Sequence, residues 1–338
     1  MRFSLLVVTK GRTDSLAAAL ACAAEALPAR AEVIVVDGDP SCSAQPVTDA
    51  LRGHRGDVQV RYIASSPGAA HQRNVALAAA TGDVVVYVDD DCTFEVGLFE
   101  ALEKAYRYAD VVGATGKIEG PLRGRVGNHP HSRLRRLILG GGRQGSMSSF
   151  GFRRPIVDVD DAHDVEYMPG PLMSARLSVA RAVRFDESLT GYSLVEDDDF
   201  SYRLSRHGRI RYEPTAVVCH HEYRWGERDQ RQMDHLQIVN RAYLFRKNFP
   251  QTIRARLGFG VLMLIFCAHR IINREWSGLR GLMSGMAEAR RTRARQTAAG
   301  AGLELEGADP IVRTPALSAQ PDRSNGAGGS ASRAKSSS

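Results

Sequence analysis

The chain predicts an α/β protein built on a parallel sheet, and three observations carry that prediction. Short strands alternate with helical stretches from Phe3 to Val88. The run Val84-Val85-Val86-Tyr87-Val88 is continuously apolar, as a strand buried on both faces should be. Polar residues gather where strands end: Thr9 with Arg12, Asp37 with Asp39, and Asp89 to Asp91. Ligands on such sheets bind beyond the carboxyl ends of the strands, so three strand ends offer one crevice.

Taken in order, the pattern predicts a strand over Phe3–Val8, a helix over Asp14–Leu27, and strands over Glu32–Val36 and Gln59–Ala64. A helix over Ala69–Ala80 and the strand Val84–Val88 follow. From Gly120 to Arg154 this rhythm stops. The stretch is rich in Gly and Arg, contains no acidic residue, and reads as a long, mobile, basic loop that closes over phosphates, meets an anionic acceptor or simply lies in solvent. Gly140-Gly141-Gly142 lacks the Lys-Ser/Thr of a P-loop and is no phosphate cradle by that rule. Order resumes near Val165, with a helix starting at "VEDDDFSYRLSRHG", a strand in "IRYEPTAVVCHH" and a helix over Arg228–Phe249.

Leu257–Ala268 is the most apolar stretch, shorter than the ~20 residues that span a bilayer. Arg254 and Arg256 precede it and Arg270 and Arg274 follow. Two readings stand: an interfacial helix anchored on anionic lipid, or a buried core or oligomer-contact helix. Beyond about Gly300 the Gly/Ser/Ala/Pro-rich end is expected to be disordered.

A chain of 338 residues holds one large domain or two ordinary ones, and 43% hydrophobic with 25% charged residues is a soluble composition. The net charge of +7 favours acidic partners such as nucleotides and phospholipids. Nucleic acid is set aside, because no aromatic-basic surface motif accompanies the charge. The five cysteines are odd in number and never form C-x-x-C, which points to a reducing compartment. The apolar run after Met1 is too short for a signal-peptide core, so the expected location is cytoplasmic, with a peripheral contact on the inner face of the cell membrane.

Asp89, Asp90 and Asp91 follow a buried strand directly, and their mutual repulsion needs water or a cation to relieve it. Alone, three aspartates would be a solvated turn. Here they close "RNVALAAATGDVVVYVDDDC", in which a helix bearing Arg73 and Asn74 leads through Thr81-Gly82-Asp83 to the strand. That order of helix, turn, strand and acids resembles the family 2 glycosyltransferases of the GT-A fold. "LLVVTKGR", "EVIVVDGD", "MPGPLMSAR", "VEDDDFSYRLSRHG" and "PTAVVCHH" are similar to further segments of that family in the same order, with Val8 where proline is common.

The resemblance covers residues 3 to 250 and implies a Rossmann-like mixed, mostly parallel sheet with flanking helices. It implies a catalytic domain over 1–250, divided into a nucleotide-binding half (1–118), the basic loop (119–155) and an acceptor-side half (156–250). A helical, membrane-associating segment (251–296) and a disordered tail (297–338) complete the expected organisation.

The implied activity is inverting transfer of a sugar from a nucleotide-diphosphate donor to a glycan or lipid-linked acceptor hydroxyl, assisted by Mn or Mg. Asp89 and Asp91 would flank the cation with His220 or His221, the family's counting favouring His220. Thr9, Arg12, Asp37, Arg73 and Asp90 would meet the donor. Asp197 would be the general base, because an inverting displacement needs a carboxylate to accept the hydroxyl proton, with Glu196 beside the acceptor. The rivals are a sugar nucleotidyltransferase, which would release pyrophosphate, and a non-catalytic glycan- or nucleotide-binding module of the same fold.

Overall fold

Alternation along each strand decides how the sheet is covered. The computed structural model describes residues 1–120, 142–157, 159–189, 193–221 and 229–300, with side chains as far as residue 292. Strands β1 (Phe3–Thr9), β2 (Glu32–Asp37), β3 (Gln59–Ala64) and β4 (Val84–Asp89) run parallel in the order β3-β2-β1-β4. Phe3, Leu5 and Val7 of β1 share one face with Val33, Val35, Val84 and Val86. Leu6, Ile34, Val85 and Tyr87 take the other, as a two-residue period requires.

Helices α1 (Thr13–Ala26), α2 (Gln45–His54) and α4 (Leu98–Tyr106) cover the first face through Leu16, Leu20, Leu51, Phe99 and Leu102. On the second face lie α3 (Ala69–Ala79), α5 (Leu177–Val183) and α6 (Glu196–Leu204), through Leu77, Ala180, Phe200 and Leu204. Full burial of each such side chain stabilises the fold by roughly 1.5–3 kcal/mol. The strands and helices read from the first part of the sequence are present within one or two residues; α2 and α4 are additional.

The second half of the sheet is mixed. It contains β5 (Cys92–Phe94), β6 (Val111–Glu119), β7 (His163–Val165), β8 (Leu172–Arg176) and β9 (Arg209–His220). β8 runs antiparallel to both β4 and β6, β6 is parallel to β9, and β5 and β7 are antiparallel to β9. Parallel and antiparallel strand pairs are thus equal in number once the later strands are included, but the parallel pairings, β6 with β9 among them, are the longer ones, as expected of a mixed, mostly parallel sheet.

At the opposite end of β4 from its acids, Thr81-Gly82-Asp83 is a structural stitch. The buried Glu32 carboxylate accepts from Gly82 N at 3.1 Å, and Asp83 accepts from Arg2 N at 2.7 Å. A Cβ at Gly82 would lie 2.7 Å from Ser4 Oγ, so the turn has room for glycine only.

Helices α7 (Gln230–Asn248), α8 (Ile253–Ile272) and α9 (Trp276–Gly300) complete the described chain. They build a third core with Met147, Phe150 and Phe152, in which Phe245, Phe249, Leu262 and Leu282 are buried. Residues 142–157 therefore correct the expectation of a mobile excursion over 119–155. Met147 and Arg153 form a bridge, and Ser148 N donates to Phe152 O at 2.8 Å within a folded turn. Residues 121–141 of that excursion, and the tail from 301, lie outside the described residues. A second correction concerns α8: it has 20 residues, not the twelve of the apolar stretch, because Thr252 caps it by accepting from Ala255 N. Residues 1–291 form one unit, with no break at 250.

Candidate active site

Strand alternation also sets where the three aspartates point. Asp89 continues the face of Val85 and Tyr87, where α3 lies, and its Oδ1 accepts from Arg73 Nη2 at 2.9 Å. Asp90 meets Thr9, which follows Phe3, Leu5 and Val7 on the other face. It accepts from Thr9 Oγ1 at 2.6 Å and Arg12 Nη1 at 2.9 Å. Burial pushes its carboxyl up to about 6, although Arg12 and Thr9 oppose the shift.

Asp91 is reached from two sides. Its Oδ2 lies 3.3 Å from Arg12 Nη1, and its Oδ1 3.1 Å from His220 Nε2. Burial alone would raise Asp91, but His220 and Arg12 hold it below the usual carboxylate range. His220 arrives because β5 and β9 pair with Cys92 opposite His220. Its neighbour His221 instead places Nε2 2.7 Å from Thr93 Oγ1.

The second acidic cluster opens α6. Val195, immediately before it, has φ of +70°, a left-handed conformation that costs a β-branched residue roughly 1–2 kcal/mol and here fixes the entry of Glu196 and Asp197. Glu196 Oε1 accepts from Arg73 Nη1 at 2.5 Å. Burial pushes Glu196 up to about 8 against Arg73, which divides its charge between Glu196 and Asp89, and the neighbouring Asp197 adds to the rise.

Asp197 Oδ2 accepts from Arg153 Nη1 at 3.0 Å and from Gly170 N at 3.2 Å. Burial would raise this carboxyl too, yet Arg153, the Asp198 N–H, Arg73 and Arg241 hold it low. Asp198 is fully buried between Arg153 and Arg241.

Both clusters face one cavity of about 530 Å³. Gly170 lies between them: a Cβ there would sit 3.8 Å from Asp197 Oδ2 and 3.9 Å from Asp89 Oδ2. Thr9, Arg12, Arg73, Asp89, Asp90, Asp91, Glu196, Asp197 and His220 all line this cavity.

Asp37 is the exception and does not line it. It is wholly buried, accepting from Asp39 N at 2.8 Å, Ala44 N at 3.0 Å and Tyr62 Oη at 3.1 Å, which is the work of a structural turn. Asn74 is also structural, bonded to the backbone of Phe185 on both sides of its amide.

Sequence reasoning missed Arg153, Arg241, Asp234 and Arg270 in the cavity wall. The clue was available for Arg153: an arginine-rich stretch without acids has its counter-charges elsewhere, and "EDDD" carries the unmatched ones.

A divalent cation fits the strand-end donors. Asp91, Cys92 and His220 offer ligand atoms that all lie within 4.8 Å of one another. Burial pushes the Cys92 thiol up and keeps it protonated, which leaves carboxylate and imidazole as the donors for a hard ion.

Residues 4–163 match the sequence model of Glycosyl transferase family 2. Over those residues the chain has the sequence of a family 2 glycosyltransferase. Over 190 residues it is 32% identical to the pre-mycofactocin glycosyltransferase of Mycobacterium tuberculosis, in both strain CDC 1551 / Oshkosh and strain H37Rv. That match takes in 56% of this chain and 37% of those proteins, so the chain spans little more than a third of their length.

Solved structures agree on the GT-A fold of the domain. The mannosyltransferase PcManGT from Pyrobaculum calidifontis, in complex with GDP-Man and Mn2+, superposes with a TM-score of 0.54 at 16% identity, over 89% of this chain and 79% of that one. S. aureus TarS 1-349 in complex with UDP-GlcNAc gives 0.53 at 16% identity, over 90% and 93%. The match to family 2 ends at residue 163, before Glu196-Asp197, while the two structural relatives share the fold over 89% and 90% of this chain.

Proposed function

We propose that this family 2 domain is a metal-dependent inverting glycosyltransferase moving a sugar from a nucleotide-diphosphate donor to an acceptor hydroxyl. One observation carries the reading: carboxylate and imidazole donors of the kind a divalent cation takes, and the Asp197 carboxylate held low by Arg153, face the same cavity on either side of Gly170. The nucleotide sugars bound by both structural relatives support the donor assignment, and the Mn2+ in PcManGT supports the cofactor.

Asp89, Asp91 and His220 would hold the cation, which as a Lewis acid would neutralise charge developing on the departing diphosphate. Arg73 fixes Asp89 and Glu196 together, and Thr9 with Arg12 fixes Asp90. Asp197 accepts the proton of the acceptor hydroxyl as its oxygen bonds to the anomeric carbon, while the bond from that carbon to the phosphate oxygen breaks. A single displacement of this kind inverts the anomeric centre. Asp37 supports the loop after β2.

The acceptor we propose is a glycan or a lipid-linked sugar of the cell envelope, used in polysaccharide or glycolipid synthesis by a cytoplasmic enzyme at the inner face of the membrane. A panel of nucleotide sugars with Mn2+, scored for nucleoside diphosphate release and product mass, tests the reading. One donor is expected to yield nucleoside diphosphate and an inverted product. Release of pyrophosphate would instead identify a nucleotidyltransferase, and binding without turnover across donors and acceptors would identify a non-catalytic module.

A further inference from the structure

We propose that the outer face of α8, continued by Trp276 of α9, docks in the plane of an anionic lipid surface. The exposed apolar side chains of α8 form a stripe: Ile253 (78% exposed), Leu257 (65%), Val261 and Leu264 (70%), then Ile271 and Ile272. From Ile253 to Leu264 they recur every three or four residues, and Ile271 and Ile272 return to the same side two turns later, along a helix about 30 Å long. Trp276 and Met283 of the next helix are also exposed. Scattered exposed leucines need no explanation, but a continuous stripe of this length does.

The other side of α8 is already occupied. Leu262 and Met263 are buried, and the rings of Phe259 and Phe266 lie 5.9 Å from that of Phe152. Phe259 also stacks on Phe245 at 4.9 Å. The helix is therefore held along the surface by its inner face, although by length and composition alone it is long and apolar enough to cross a membrane.

Charge selects the occupant. Residues 251–274 contain no Asp or Glu, and Arg254, Arg256 and Arg274 are exposed at the two ends of the helix. At about 100° per residue, Arg254 and Arg256 fall on the two shoulders of the apolar stripe. Anionic headgroups answer that arrangement, with the stripe sunk into the acyl boundary and the arginines in the headgroup layer. A second copy is disfavoured: around a twofold axis, either helix orientation would set arginine ends against arginine ends.

Docking also bears on the cavity. Arg270, on the same helix, lines the cavity wall and donates to Asp234 at 2.8 Å. A docked α8 thus holds one wall of the site next to the lipid, which suits a membrane-borne acceptor. That last consequence rests on the proposed function; the docking itself does not.

The full chain should be pelleted with vesicles of phosphatidylcholine alone and with added phosphatidylglycerol, across a salt series. Binding is expected to the anionic vesicles only, falling with salt. Leu257→Gln with Leu264→Gln, both at exposed positions, should lower the bound fraction about tenfold, as should Arg254→Gln with Arg256→Gln and Arg274→Gln. All five changes should leave nucleoside diphosphate release in solution unchanged, whereas Asp91→Asn should lose turnover and still bind vesicles. Wild-type binding by the stripe variant, no binding to anionic vesicles, self-association of the unbound chain through this face, or extraction resistance typical of a bilayer-spanning helix would each overturn the in-plane docking.

Discussion

Two acidic clusters face the same cavity, and they differ in what neutralises them. At the start of α6 almost every charge has a protein partner: Arg153 and Arg241 hold Asp198, and Arg203, Lys247 and Asn248 hold Asp199. The helix N-terminus favours the same charges. At the end of β4 three carboxylates share Arg12, part of Arg73, and an imidazole. The helix cluster is complete without a ligand. The strand cluster is the one a cation would complete, and on the function proposed above that contrast separates a metal site from a proton-accepting site built of the same residue types.

The largest expected effect lies on the strand side. Asp91→Asn removes one carboxylate from the donors proposed for the cation, and Lewis-acid assistance is worth several kcal/mol in the transition state, so turnover should fall roughly a thousandfold. Chelation of the wild type should do the same and be reversed by added Mn2+. Wild-type turnover in Asp91→Asn, with an unchanged circular dichroism spectrum, would make the strand cluster as self-sufficient as the helix cluster.

How legible these clusters were follows from the range of the interactions that build them. The parallel half of the sheet was visible because alternation and strand ends are local, and with it Asp89–Asp91 and the arginine helix preceding them. Arg153 was not: it stands 44 residues from Asp197, and only the third core of Phe152, Phe245 and Phe249 brings the two together. The turn role of Asp37 was hidden for the opposite reason, because its partners Asp39 N and Ala44 N are close in sequence but depend on the geometry of a turn that residue types do not specify. The full length of α8 was hidden by Arg254 and Arg256, which interrupt the apolar run without interrupting the helix.

Within α6 the comparison sharpens to single residues. Asp197→Asn should reduce turnover by about 10²–10⁴-fold, the usual contribution of a general base, with little change in stability. Asp199→Asn should do the reverse. Removing a carboxylate that holds Arg203 and Lys247 should cost about 3 kcal/mol of stability, the lower end for a buried pair because both cations retain some contact with water. Thermal melts and turnover per folded molecule separate the two; equal loss of activity in both variants would mean that the first turn of α6 acts as one structural block.

The smallest effect is the most diagnostic, because it concerns how the helix cluster is held ionised. As the proposed base Asp197 would act only when deprotonated, so activity should be lost as pH falls through its depressed folded pKa and retained above it. Arg153→Gln removes a guanidinium 3.0 Å from Asp197 Oδ2, one of the groups that offset the burial of this carboxyl. The acid limb of kcat/KM should therefore move up by about one pH unit, the low end of what a single adjacent charge produces. Above that limb a carboxylate of higher pKa is the stronger base, so kcat should be maintained or rise slightly. A purely structural Arg153 would lower kcat at every pH without moving the limb, and a fall in donor affinity alone would assign Arg153 to the diphosphate instead of to Asp197.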